Sequence, residues 1–253
     1  NYEIKASLQQ SVPLINADDV WQLKDSQDRS VTGEGVTIAV IDSGIDYTHP
    51  DLGGCFGPNC KVIGGYDFAN NDDDPIEEVA DSHGTSVAGI AAANGIIKGV
   101  APNAKLLAIK VCDEECFGTR IIAGIDWCID DKDNLGITVL TESLGGGVFD
   151  NTNCPAWMDK VLDRVYSIGL PFTASSGNDG YNNGISHPAC SPKVISVGAV
   201  YDANIGPSST CVNRNCSNDC PITPSFADKV TCYTNSDQIL DLMAPGELIR
   251  TTA

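Results

Sequence analysis

Apolar residues along this chain come in short, nearly unbroken runs, separated by stretches where they recur three and four apart. Val36-Thr-Ile-Ala-Val-Ile41 is the clearest run. It is β-branched and does not alternate with polar residues, so it predicts a strand covered on both faces, as in a parallel sheet. Runs of the same kind lie at 105–111, 136–140, 170–174 and 194–200. Between them, residues 85–93 are small and apolar, and 121–128 carry helical spacing. Residues 158–168 repeat that spacing with Val161, Leu162, Val165 and Ile168. Strand and helix alternate, so the expected fold class is α/β, a mainly parallel β-sheet with helices on both faces. Two stretches break the rhythm. Residues 67–78 are acidic and polar and read as a loop. Residues 204–231, rich in Asn, Ser, Pro and Cys, read as a Cys-rich insertion held by local disulfides rather than by a core. With no internal repeat and no linker, residues 1–253 read as one domain.

Composition narrows this picture. The chain has 253 residues, 42% of them hydrophobic, enough for one sizeable core. Acidic residues outnumber basic ones by 34 to 15, a net charge of −19 that repels phosphate backbones and excludes nucleic acid as the expected partner. No apolar run approaches the roughly 20 residues that span a bilayer, so no membrane partner is expected. Residues 1–10 lack the basic and apolar regions of a signal peptide. Eleven cysteines at irregular spacing, with no repeated C-x-x-C pair, argue for disulfides rather than zinc. The short gaps from Cys55 to Cys60 and from Cys112 to Cys116 read as local disulfide loops, and the expected compartment is oxidising and extracellular. An odd count leaves one thiol over.

Candidate chemistry gathers at strand ends. Asp42 follows the first buried run, where open α/β sheets bind their ligands. His83 opens the small-residue helix beside Gly84, and a helix N-terminus favours the neutral imidazole that a general base needs. Asn178 follows the run at 170–174 in Ser176-Gly-Asn-Asp-Gly180 and can aim a carboxamide N–H into the same crevice. Each residue taken singly reads more simply as a turn former or a helix start. Together they lie on one edge of one sheet, with the geometry of a triad acid, a base and an oxyanion donor.

These segments resemble the subtilisin-like serine protease family in order and spacing: Val-Ile-Asp42-Ser-Gly, His83-Gly-Thr-Ser-Val-Ala-Gly, Ser143-Leu-Gly-Gly146, Ser-Gly-Asn178 and Met243-Ala-Pro-Gly246. Gln10-Ser-Val-Pro13 resembles the start of mature members. The resemblance implies a secreted serine endopeptidase, made as a precursor and cleaving peptides or proteins. Asp42 would orient His83, His83 would act as base and then acid, and Asn178 would stabilise the oxyanion. Ser143, Leu144, Gly145 and Gly146 would line the primary specificity pocket, and Gly118 would lie on the opposing substrate-binding strand. The loop Asp67-Phe-Ala-Asn70-Asn-Asp72-Asp-Asp74 resembles a calcium loop of thermitase-like members, with Asp67, Asn70, Asp72 and Asp74 as ligands for Ca²⁺, against the plainer reading of a solvated acidic loop. Gln10 and Asp51 match two ligands of another family calcium site, but residues 94–98 are shorter than its loop, and that site is not assigned.

The chain departs from the family at one decisive place. The nucleophile motif Gly-Thr-Ser-x-Ala is absent, and the sole Gly-Thr-Ser, Gly84-Thr85-Ser86, belongs to the histidine helix. The expectation is a C-terminally incomplete catalytic domain, with the serine on a C-terminal remainder that follows Ala253 or forms a second chain. Residues 1–253 alone are then expected to be inactive. The alternative is a catalytically inactive pseudoprotease or peptide-binding fragment. Glu142, where the family has an apolar residue, is a second departure.

Overall fold

The computed structural model describes residues 8–78, 82–150, 152–204, 206–207, 224–247, 249 and 251–252. The chain opens with two short helices, α1 Leu8–Leu14 and α2 Ala17–Val20. Five strands answer the five apolar runs: β1 Thr37–Asp42, β3 Lys105–Lys110, β4 Ile137–Glu142, β6 Phe172–Ser175 and β8 Ile195–Val200. Two more, β2 Val62–Asp67 and β11 Leu242–Pro245, flank them. All seven form one sheet in the order β11-β8-β6-β4-β1-β3-β2, and every pairing is parallel. The three predicted helices appear as α3 His83–Ala92, α4 Gly118–Asp130 and α6 Asp159–Ser167, with a single turn, α5 Lys132–Leu135, after α4.

Strand β1 is buried along its whole length, which is why its sequence carries no alternation. Its side chains nevertheless alternate in direction. Ala39 and Ile41 join Leu107, Ile109, Ile125 and Leu162 in one core, against α4 and α6. Ile38 and Val40 join Ala88, Ala92 and Leu106 in the other, against α3. The expected layering, helices on both faces of a parallel sheet, is therefore what the chain adopts.

Two antiparallel pairs sit outside the sheet. β5 Gly146–Phe149 pairs with β7 Ile185–His187, and β9 Gly206–Pro207 pairs with β10 Pro224–Ser225. The second pair brackets most of the insertion expected at 204–231, whose other residues fall largely outside the described ones. Disulfides join Cys55 to Cys60 and Cys112 to Cys116, the two local loops expected from spacing. A third, Cys154 to Cys190, ties segments 36 residues apart. Among the described residues Cys128, buried on α4, is the free thiol.

Candidate active site at the carboxyl end of the sheet

Asp42 is the last residue of β1 and is 1% exposed. Its Oδ1 accepts the Ser43 N–H at 2.8 Å and lies 2.7 Å from His83 Nδ1. The Ser43 hydroxyl is 3.1 Å from the same oxygen. Oδ2 is buried without a partner among the described residues. His83 begins α3, preceded by Ser82 in the left-handed region at φ 49°. The histidine reaches Asp42 because α3 lies almost on the backbone after β1. A Cβ on Gly84 would stand 2.1 Å from the Gly44 carbonyl oxygen, a contact no side chain survives. Farther along, the Cβ position of Gly89 is 2.1 Å from Thr252 Oγ1, and that hydroxyl donates to the Thr85 carbonyl at 2.7 Å. The small residues of this helix are thus the means by which it packs close, as the sequence pattern predicts.

The other two histidines are engaged elsewhere. His49 Nδ1 accepts the Asp51 N–H at 3.1 Å, and the buried His187 ring lies against Trp157 at 4.7 Å. Only His83 among them lines the principal cavity, a space of about 750 Å³ at the carboxyl edge of the sheet. Ser143 and Asn178 line it too, with Val197, Ala199, Pro245 and Gly246 of β8 and β11 and the residue after. The structure therefore brings Asp42, His83, Ser143 and Asn178 to one place.

Asn178 sits in a turn after β6 that a second asparagine builds. Asn235 is 0% exposed, and its Oδ1 accepts the N–H groups of Asp179 and Tyr181 at 2.9 and 3.2 Å. Its Nδ2 donates to Asp179 Oδ2 at 3.0 Å, and its own N–H donates to the Gly177 carbonyl at 2.9 Å. Sequence reasoning missed Asn235, because an asparagine beside a Cys-rich stretch reads as loop. Ser143, Leu144 and Gly145 form the link from β4 to β5, and Gly146 opens β5. The Cβ position of Gly145 falls 3.1 Å from Ser186 Cβ and 3.2 Å from the His187 carbonyl, so a larger residue there would push against β7.

Glu142 is the outlier. It ends β4, paired in register with Ile41 of β1 and Ala174 of β6, and is 2% exposed, with neither carboxylate oxygen hydrogen-bonded among the described residues. Burial, reinforced by the negative charge of Asp42, pushes its carboxyl up to about 8, so at neutral pH the group is largely protonated.

Two expectations need correction or narrowing. Gly118 does not lie on a strand: it is the first residue of α4, and its Cβ position would meet the Trp157 ring at 2.6 Å. The Cys112–Cys116 loop takes up the preceding residues and the chain turns directly into helix. In the acidic loop, Asp67 is not free for a cation. Its Oδ2 pairs with the buried Lys110 ammonium at 2.9 Å and its Oδ1 accepts the N–H groups of Ala69 and Asn70. Burial pushes the Asp67 carboxyl up, but the Asn70 donors and the Lys110 ammonium outweigh it and hold the group below the ordinary range. Asn70, Asp72 and Asp74 are exposed, with Asp72 Oδ1 taken by the Asp74 N–H and Asp74 Oδ1 by the Tyr47 hydroxyl. Among the described residues no group of three or more His, Cys, Asp or Glu side chains is arranged to hold a metal. Asp67 therefore does not fit the expected ligand set, and only Asn70, Asp72 and Asp74 remain for it. Asp51, left unassigned above, accepts the N–H groups of Ile96 and Ile97 at 3.0 and 2.8 Å, one on each carboxylate oxygen.

A parallel α/β sheet with a buried carboxylate steering a histidine over a cavity at its carboxyl edge defines a class, the enzymes that activate a nucleophile through an acid–histidine pair. Residues 33–253 match the subtilase family, peptidase S8, and the chain belongs to that family of serine proteases. It is 40% identical over 207 residues to the minor extracellular protease Vpr of Bacillus subtilis (strain 168), a match covering 78% of this chain and 23% of that protein. Subtilisin E of the same organism is 35% identical over 87% of this chain and 49% of the relative. Serine protease AprX, also from that organism, is 32% identical over 97% and 53%. The chain thus spans about a quarter to a half the length of these relatives. The crystal structure of a cold-adapted subtilisin-like serine proteinase superposes with a TM-score of 0.64 at 24% identity, covering 93% of this chain and 80% of that one, a likeness of fold.

Proposed function

We propose that this chain is the larger part of the catalytic domain of a secreted serine endopeptidase, made as a precursor, whose nucleophilic serine lies on a C-terminal remainder. The observation that carries the reading is the 2.7 Å contact between the buried Asp42 and His83 on a cavity that Asn178 also lines. In the proposed reaction, His83 takes the serine hydroxyl proton as the oxygen attacks the peptide carbonyl, then returns it to the leaving amine. Asp42, 2.7 Å from Nδ1 of the ring, stabilises the imidazolium formed midway. Asn178 donates to the oxyanion of the tetrahedral intermediate. The link Ser143-Leu144-Gly145-Gly146 is the backbone edge on which a peptide substrate pairs. Three disulfides among the described residues support an oxidising, extracellular location. A structural calcium ion in the 67–74 loop rests on Asn70, Asp72 and Asp74 alone.

The remainder of the catalytic domain is the proposed occupant of the cavity floor, where Val197 and Ala199 of β8 and Ala244 of β11 line the space. A segment there would place a serine beside His83 and cover that apolar floor.

The experiment compares the full-length product with residues 1–253 alone, using a serine-reactive fluorophosphonate and a fluorogenic peptide. Full-length protein is expected to label on a serine C-terminal to Ala253 and to turn over substrate, and the 1–253 chain to do neither. Labelling of the 1–253 chain overturns the placement of the nucleophile. A full-length protein that binds peptide and does not label supports the pseudoprotease instead.

A further inference from the structure

The histidine helix is held at its start by a residue that no motif contains. Glu77, in the loop between β2 and α3, accepts the Gly84 N–H on Oε1 at 3.1 Å and the Thr85 N–H on Oε2 at 2.8 Å. Ser82, the residue that should cap α3, makes no side-chain capping bond. Glu77 Oε1 also receives the hydroxyl of Ser43, the residue next to Asp42. That hydroxyl oxygen in turn accepts the Gly84 N–H at 3.0 Å. The loop carrying Glu77 is itself anchored, because the buried Lys110 Nζ donates to the Ile76 carbonyl at 3.0 Å.

We infer that Glu77 is a positioning residue for the Asp42–His83 pair: through the Ser43 hydroxyl and the first N–H groups of α3 it fixes where His83 sits and how strongly Asp42 holds the imidazole proton. The inference rests on the proposed protease reading for its meaning, but its physical content belongs to the three residues. Ser43 has one hydroxyl proton and two carboxylate oxygens within reach, Asp42 Oδ1 at 3.1 Å and the closer Glu77 Oε1. While the proton points to Glu77, Asp42 Oδ1 keeps only the Ser43 N–H and His83 as donors. Fewer donors leave that oxygen more basic, and a more basic partner favours the imidazolium. The negative charge of Glu77 acts in the same direction. Taking Glu77 away therefore lowers the pH at which His83 titrates, for two reasons of one sign.

Several charged groups among the described residues surround this pair. Asp42 itself is on β1, Lys110 stands in register with it on β3, and Glu142 ends β4. Asp46 follows β1, with its N–H on Thr85 Oγ1 at 2.8 Å. Glu78 lies beside Glu77 and pairs with Lys110 at 3.2 Å. Lys110 is matched by Asp67 and Glu78, and Glu77 bonds instead to Ser43 and to the start of α3.

The test follows the His83 imidazole by NMR through a pH titration in the full-length protein, in wild type, E77Q and E77D, alongside the pH profile of kcat/KM. E77Q keeps the shape and removes the charge, and its expected effect is a downward displacement of the His83 titration and of the acid limb of kcat/KM by about half a pH unit to one unit. E77D keeps the charge but draws it back from Ser43, so its displacement is expected in the same direction and smaller. It decides the matter if E77Q does not fold. An unmoved His83 titration in both folded variants, or in E77D alone where E77Q is lost, overturns the inference and leaves Glu77 a helix cap, whatever the loss of melting temperature. A protein that neither labels nor turns over peptide refutes the protease reading, and the NMR titration still decides the role of Glu77.

Discussion

Glu142, buried and without a hydrogen-bond partner among the described residues, is expected to make stability fall as pH rises. Its carboxyl is raised from the ordinary 4.5 to about 8, first by burial and then by Asp42. Between those two values the unfolded chain releases the proton and the folded chain keeps it. The unfolded state therefore binds fewer protons, and stability declines with rising pH across that window. Each pH unit costs about 1.4 kcal/mol, so the loss complete at pH 8 is at most about 5 kcal/mol from this one residue. For a domain of this size that corresponds to roughly 10–20 °C in melting temperature. The assay is thermal unfolding from pH 5 to pH 9 on full-length protein blocked with a serine-reactive inhibitor, to prevent self-digestion, in wild type, E142Q and E142M. Other titrating groups are common to all three and drop out of the differences. Wild type should lose stability relative to E142Q as pH rises, and E142M, which removes the buried polar atoms altogether, should be the more stable protein at pH 8. Parallel melting curves for wild type and E142Q across the whole range would refute the reasoning, because they would mean that Glu142 titrates alike folded and unfolded.

Two further outcomes are expected. If calcium binds the exposed Asn70, Asp72 and Asp74, chelator lowers the melting temperature, since an ion held only by the folded state stabilises by about 2.7 kcal/mol at a hundredfold excess over its dissociation constant; an unchanged melting temperature with and without chelator removes calcium from this loop. Replacing Cys154 and Cys190 together by alanine frees a loop of 36 residues, at a cost of about 4 kcal/mol by loop entropy, measured as denaturant midpoint; a loss below about 1 kcal/mol would show the link to be incidental.

The sheet's interior was legible because strands buried on both faces must be written as unbroken apolar runs, and β1, β3, β4, β6 and β8 are such strands. The edges were not. In β2 the run Val62-Ile63 is cut by Gly64 and Gly65, and a Cβ on Gly65 would fall 2.0 Å from the Ala108 carbonyl oxygen. Gly65 serves the close approach of β3, yet along the chain the pair of glycines reads as a turn. β11 contains a proline, which an edge strand tolerates and an interior strand does not. Asp42, His83 and Asn178 were legible as strand-end and helix-start residues. Gly118 was misplaced because a glycine after a short disulfide loop suits an extended segment as well as a helix start. Asn235 and Glu77 act through bonds to residues far away in sequence, Asn235 by 56 positions from Asp179 and Glu77 by 34 from Ser43. No local pattern marks such partners.

Three carboxyl groups, Asp42, Glu77 and Glu142, cluster near His83 in a chain already carrying 34 acidic residues against 15 basic ones. Their coexistence follows from unequal surroundings. Asp42 is supplied with donors from Ser43 and from the imidazole. Glu77 is supplied with the first free N–H groups of α3, where a negative charge is favoured by the helix dipole. Glu142 has no donor among the described residues, and the lowest-cost state open to a buried acid without one is the protonated state. Hydrogen-bond donors therefore stand on Asp42 and Glu77, both next to the segment that bears His83, and not on Glu142. An imidazolium formed during proton transfer would meet carboxylates bonded to its own neighbours, and the third acid, neutral behind Asp42, would add no repulsion between them. Ionising Glu142 above pH 8 would end that arrangement, so alkaline loss of stability and alkaline disturbance of the Asp42–His83 pair have one origin.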